Sequence, residues 1–204
     1  MKHLSDNRRS DRRSASRRGL SLIEVLVTIA LLGIMAALVL PFFNAQIPAQ
    51  LTGVAQIVAA DLDYARNLAV ANGSNYRITL ERDDNRYYLH HVGANTLLNA
   101  LPSSAFGLAS DPANHQTTDL DDMPLAEPKV QLLGAEATTG SGVRVDTLEF
   151  TSLGGTLRPQ ETVFWLACGQ GDARRFLSIR ISPVTGITEI GEVQATVPAI
   201  DDET

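Results

Sequence analysis

One acid in this chain sits where acids are costly. Glu24 interrupts the run Leu20–Leu40, whose only other non-apolar residues are Ser21, Thr28 and Gly33. A carboxylate at membrane depth costs on the order of 2.5–3.5 kcal/mol even on mild insertion scales, so it calls for a cationic partner. Three other groups carry reactive types. His90-His91 beside Tyr87-Tyr88 suits a metal or a general base, but neighbours on a strand point to opposite faces and do not easily share one ion. Asp119-Leu120-Asp121-Asp122 lacks the spacing of a calcium loop and reads as a solvated acidic turn. Cys168 is the only cysteine and follows the apolar stretch Val163–Ala167. It excludes an internal disulfide and reads as a buried structural thiol. Phosphate-loop, nucleophile-elbow and zinc-finger spacings do not occur. The expectation is no catalytic residue, no cofactor and no metal site.

The elements around Glu24 are read from charge and period. Residues 1–19 hold seven Lys or Arg against two Asp, an asymmetry that keeps this leader in the cytoplasm and sends the residues beyond the apolar run across the membrane. The run itself has the length that crosses a hydrocarbon core of about 30 Å. It does not end in an Ala-x-Ala-like site, so an ordinary secretory signal fits poorly. Beyond Pro41, the residues Ile47, Leu51, Val54, Val58, Leu62, Ala65, Leu68 and Ala69 recur at spacings of three and four, one stripe of an amphipathic helix. Asn72-Gly73 is its stop. A helix over 20–72, membrane-spanning to about residue 40, would reach about 75–80 Å. Pro48 and Gly53 predict a bent or locally frayed stretch between Pro41 and Gly53.

From residue 73 to 204 the period changes to two. Tyr76–Leu80 and Tyr87–Val92 flank Asp83-Asp84-Asn85 as a hairpin. Further strands are expected at Val130–Leu133, Val143–Phe150, Thr162–Ala167, Phe176–Ile181 and Ile187–Val193, separated by glycine-rich turns. Residues 93–128 carry four prolines and little periodicity and read as a long loop, either mobile or partner-binding. The fold class is α+β, with a long N-terminal helix packed against an antiparallel β-sheet domain.

The formal charge is −6, and residues 1–19 contribute +5 to it, so the remainder stands near −11. An exported domain this acidic is a poor partner for nucleic acid. Arg174, Arg175 and Arg180 form the only basic cluster worth testing, and Gly191–Thr204 has acids and no basic residue.

Gly19 followed by Leu-Ser-Leu-Ile-Glu, behind a basic leader, resembles the prepilin processing site of type IV pilins and type II secretion pseudopilins. The resemblance implies cleavage between Gly19 and Leu20 by a prepilin peptidase, N-methylation of Leu20, and an assembly role for Glu24. It also implies a helix kink at Pro41. Leu20 stands where the family usually has Phe. The new α-amino group, with a reference pKa near 8, would sit about one helical turn from Glu24. The pair could close within one subunit or between neighbours, where a mismatch leaves two charges unpaired in lipid and so fixes axial register. Asp61–Ala69 before Asn72-Gly73, Leu148–Gly155 with its F-x-x-x-G turn, and the hairpin Arg175–Ile190 resemble the GspH/FimT group of minor pseudopilins and pilins.

What the resemblance implies is a structural minor pseudopilin at or near the tip of a type II secretion pseudopilus. Its partners would be other pseudopilins or pilins, the inner-membrane assembly platform and membrane lipid. It would be a single-pass inner-membrane protein with its C-terminal domain periplasmic. Three alternatives stand beside it: a FimT-like minor type IV pilin acting in pilus assembly or DNA uptake, an uncleaved signal anchor, and an anchored enzyme or receptor.

Overall fold

A computed structural model describes residues 21–44, 46–102, 104, 106, 111–124, 127–138, 143–196, 198 and 200, with side chains of 37–44 excepted. Gly19 and Leu20 lie outside the described residues. The chain divides into two units, Met1–Pro41 and Phe42–Thr204.

Helix α1 spans Leu22–Asn44 and its backbone stays helical through Pro41. Helix α2 spans Gln46–Asn72. The fraying expected as far as Gly53 is not found from Gln46 onward. Pro48 lies in the first turn of α2, where backbone N–H groups have no intrahelical partner to lose. Gly53 is held by its surroundings, because Leu51, Val54, Ala55 and Val58 are fully buried and packing outweighs a propensity cost of about 1 kcal/mol. Helix α2 ends in a Schellman motif: Ser74 N–H donates to Ala69 O at 3.1 Å and Gly73 N–H to Val70 O at 3.3 Å. Gly73 has φ +58°, the left-handed conformation this cap requires.

Among the described residues nine strands follow: β1 Tyr76–Glu81, β2 Arg86–His91, β3 Gln116–Asp119, β4 Val130–Ala137, β5 Val143–Val145, β6 Thr147–Phe150, β7 Thr162–Cys168, β8 Arg175–Ile181 and β9 Thr188–Ile190. They form two antiparallel sheets, one in the order β3-β2-β1-β6 and one in the order β5-β4-β7-β8-β9. The fold is α+β.

Two expectations need correction. Val143–Phe150 is not one strand: the chain bends at Asp146 and passes from the second sheet to the first, so β5 pairs with β4 while β6 pairs with β1. The segment 93–128 is not a plain loop, since it contains a short 3-10 helix at Thr96–Leu98 and the edge strand β3.

The amphipathic stripe of α2 faces both sheets. Leu51, Val54, Val58, Leu62, Ala65 and Ala69 join Tyr76, Ile78 and Phe150 of the first sheet and Phe164, Leu166 and Ile179 of the second in one core. Each large side chain so buried contributes about 1.5–3 kcal/mol, which fixes α2 and with it the polar groups on its flanks.

Candidate functional site

At the start of α1, Ser21 O accepts from Glu24 N–H at 2.9 Å and from Val25 N–H at 3.2 Å. Ser21 is therefore the N-cap and Glu24 the third helical residue. There a carboxylate complements the positive end of the helix, an effect of roughly 0.3–1 kcal/mol. The apolar residues around Glu24 are exposed on every side of α1, from Leu22 at 82% to Met35 at 62%. A helix apolar all round is stable only in apolar surroundings. The Thr28 hydroxyl donates to Val25 O at 2.8 Å, so even this polar group is satisfied inside the helix. Among the described residues no helix is long and apolar enough to cross a membrane.

In the folded domain, polar contacts of Asp61 and Arg66 help to fasten α2. Asp61 Oδ2 accepts from the Tyr87 hydroxyl at 2.7 Å and from the Thr118 hydroxyl at 2.9 Å. Burial pushes the Asp61 carboxyl above its usual range while these bonds pull it down. Burial also holds the Tyr87 phenol well above its usual value, with the Asp61 charge adding to it. Five residues on, Arg66 Nε donates to Thr185 O at 2.7 Å and Gly154 O at 3.2 Å. This joins the turn after β6 to the turn between β8 and β9. The turns touch so closely that a Cβ on Gly186 would lie 2.1 Å from Gly154 O.

Strand alternation puts His90 and His91 on opposite faces. His91 is buried, its Nε2 2.6 Å from Ser74 Oγ and its Nδ1 2.8 Å from Asn99 Oδ1. His90 faces outward and meets His115, a residue the sequence pattern did not single out. Their ring centres are 5.6 Å apart, and His115 stacks on Tyr88 at 4.3 Å. Burial and the neighbouring His115 hold the His90 imidazole below its usual pKa.

The acidic turn is closed on itself, with Asp119 Oδ1 accepting from Asp121 N–H at 2.8 Å and Asp121 Oδ1 from Asn85 Nδ2 at 2.7 Å. Cys168 is buried and its thiol donates to Pro128 O at 3.2 Å; burial raises its pKa, which leaves it a poor nucleophile. Arg175 donates to its own neighbourhood, Asp172 O and Arg174 O, both at 2.8 Å. Arg174 lies over the Phe176 ring at 5.2 Å. Arg180 is near the other end of β8, about 16 Å along the strand at 3.3 Å per residue, so the three arginines do not converge. No group of three or more His, Cys, Asp or Glu among the described residues is placed to hold a metal.

Residues 14–40 match the model of the prokaryotic N-terminal methylation motif, and Gly19, Leu20 and Glu24 fall within the matched residues. Among solved structures, the chain is similar to the type IV minor pilin FimU of Pseudomonas aeruginosa PAO1. In one crystal form the identity is 21% over 74% of this chain and 94% of that one, with TM-score 0.44. It is also similar to the minor pseudopilin EpsH from the type 2 secretion system of Vibrio cholerae, at 12% identity over 70% of this chain and 96% of that one, with TM-score 0.49. A search of curated protein sequences gave no match.

Proposed function

We infer that the chain is a minor subunit of a type IV pilin-like filament, a pseudopilin of the type II secretion kind acting at or near the filament tip. The leader 1–19 is removed between Gly19 and Leu20 by prepilin peptidase, and Leu20 is N-methylated. The helix from Leu20, bent at Pro41, anchors the protein in the inner membrane to about residue 40. The domain from residue 73 onward stands outside, with other pseudopilins and the assembly platform as partners. The role is structural rather than catalytic.

The observation that carries this reading is Glu24, the one ionisable side chain in a helix apolar on every described face, lying inside a match to the methylation motif. A secreted domain needs no acid there. A bundle of such helices does, because the methylated amine remains cationic and only a carboxylate neutralises it in lipid. The test is the intact mass of the protein purified from cells that hold prepilin peptidase. The expected mass is that of the chain from Leu20 onward plus one methyl group. Retention of Met1–Gly19 would overturn the reading.

A further inference from the structure

Filament assembly leaves the outer face of the first sheet unexplained. On it, His90 of β2 stands opposite Arg77 of β1, which stands opposite Glu149 of β6. Arg77 and Glu149 satisfy each other at 2.9 Å. His90 does not share in this: its Nδ1 is shut off from solvent and has no hydrogen-bond partner. A buried polar atom left bare costs free energy and calls for an explanation. The nearest group of matching chemistry is His115, which arrives just before β3 and is steadied by its stack on Tyr88 at an interplanar angle of 14°.

Two imidazoles bound to one ion at about 2.0–2.1 Å place their ring centres about 5 Å apart. The observed 5.6 Å is close to that separation. Plain aromatic packing accounts for His115 on Tyr88, yet it gives the His90 Nδ1 lone pair nothing to do. Neutral imidazole lone pairs suit borderline divalent ions, with copper bound more tightly than zinc. We propose that His90 and His115 form a two-imidazole site for a divalent transition metal ion, Cu(II) or Zn(II).

Binding there would tie the segment ahead of β3 to β2, a link of sheet to edge strand that the backbone ladder makes over only four residue pairs. Two protein ligands make an exchangeable site rather than a permanent structural one. The proposal is independent of the filament reading.

The experiment uses the chain carrying His3→Gln in detergent, stripped with chelator and titrated calorimetrically with CuCl2 and with ZnCl2, because an unprocessed Met1-Lys2-His3 terminus would itself chelate Cu(II). One ion per chain is expected, Cu(II) tighter than Zn(II), together with a rise in the thermal unfolding midpoint. In that background His90→Gln and His115→Gln should each weaken binding at least tenfold. His115→Phe keeps a ring on Tyr88, so it should lose the ion while unfolding at the wild-type midpoint in metal-free buffer. Binding that survives in both His90→Gln and His115→Gln would overturn the proposal, as would the absence of binding by the folded His3→Gln chain.

Discussion

The hydroxyl of Tyr87 donates to the carboxylate of Asp61 at 2.7 Å across the junction of α2 and the first sheet. This contact has a pH dependence whose sign is set by burial. The folded carboxyl is raised above 3.8, so its stabilising contribution is complete below that value and is lost as pH rises through the higher folded value. The stability of the wild type relative to Asp61→Asn should therefore fall as pH rises from about 3.8, then level off. Tyr87→Phe removes one of the bonds that favour the charged form and should cost about 1–3 kcal/mol, more at pH 7 than at pH 4. Urea midpoints followed by the single tryptophan, Trp165, measure both. A wild type that gains stability relative to Asp61→Asn as pH rises would refute the assignment.

Asn85 joins three segments that are far apart in the chain. At the hairpin turn it takes φ +49°, which Asn tolerates better than most residues. Its Nδ2 donates to Asp121 Oδ1 at 2.7 Å and Val130 O at 2.9 Å, and its Oδ1 accepts from Leu132 N–H at 2.8 Å. Asn85→Gly keeps the backbone and deletes these bonds, at about 1–3 kcal/mol. Asn85→Ala should cost roughly 1 kcal/mol more, the strain of a left-handed alanine. Equal costs for the two variants would show that backbone conformation contributes nothing at this turn.

The same strain occurs at two glycines in different surroundings. Gly73, at φ +58°, has open space where a Cβ would stand, so Gly73→Ala should cost only about 1 kcal/mol. Gly186, at φ +64°, would drive its Cβ to 2.1 Å from Gly154 O. Gly186→Ala should add roughly 1–3 kcal/mol for the forced separation of the two turns. Denaturant midpoints of the two variants would contradict the packing argument if they coincided.

How far these features are legible in the sequence depends on their range. The stripe from Ile47 to Ala69 is legible because burial on a helix repeats every three to four residues; of its eight positions all but Leu68, which is partly buried, are buried. The hairpin around Asp83–Asn85 is legible because both strands alternate beside a polar turn. The break at Asp146 shows only as a one-residue slip of phase, from Val143 and Val145 to Leu148 and Phe150, which a bulge within one strand would also give, whereas here the pairing partners change sheets. Strand β3 reads Gln-Thr-Thr-Asp, a polar edge without a pattern of its own. His115 becomes visible only when β3 pairs with β2 and brings it to His90. Glu24 is conspicuous by composition alone, whereas Asn85 is one polar turn residue among several.

The acid in α1 yields the prediction closest to function. Glu24 is exposed at the third position of a helix whose described surface is otherwise apolar. If the amine of a processed Leu20 needs that carboxylate in the bundle, Glu24→Ala should be cleaved and methylated normally yet enter filaments poorly. Leaving one charge unpaired in lipid costs on the order of 2.5–3.5 kcal/mol, equivalent to roughly a hundredfold in the incorporation equilibrium. Helix-end complementarity alone, at about 0.3–1 kcal/mol, would change incorporation by less than about tenfold. Coexpression of Glu24→Ala with its filament partners, with quantification in sheared filaments and by intact mass, separates the two. Wild-type incorporation of the processed variant would remove Glu24 from any role in register.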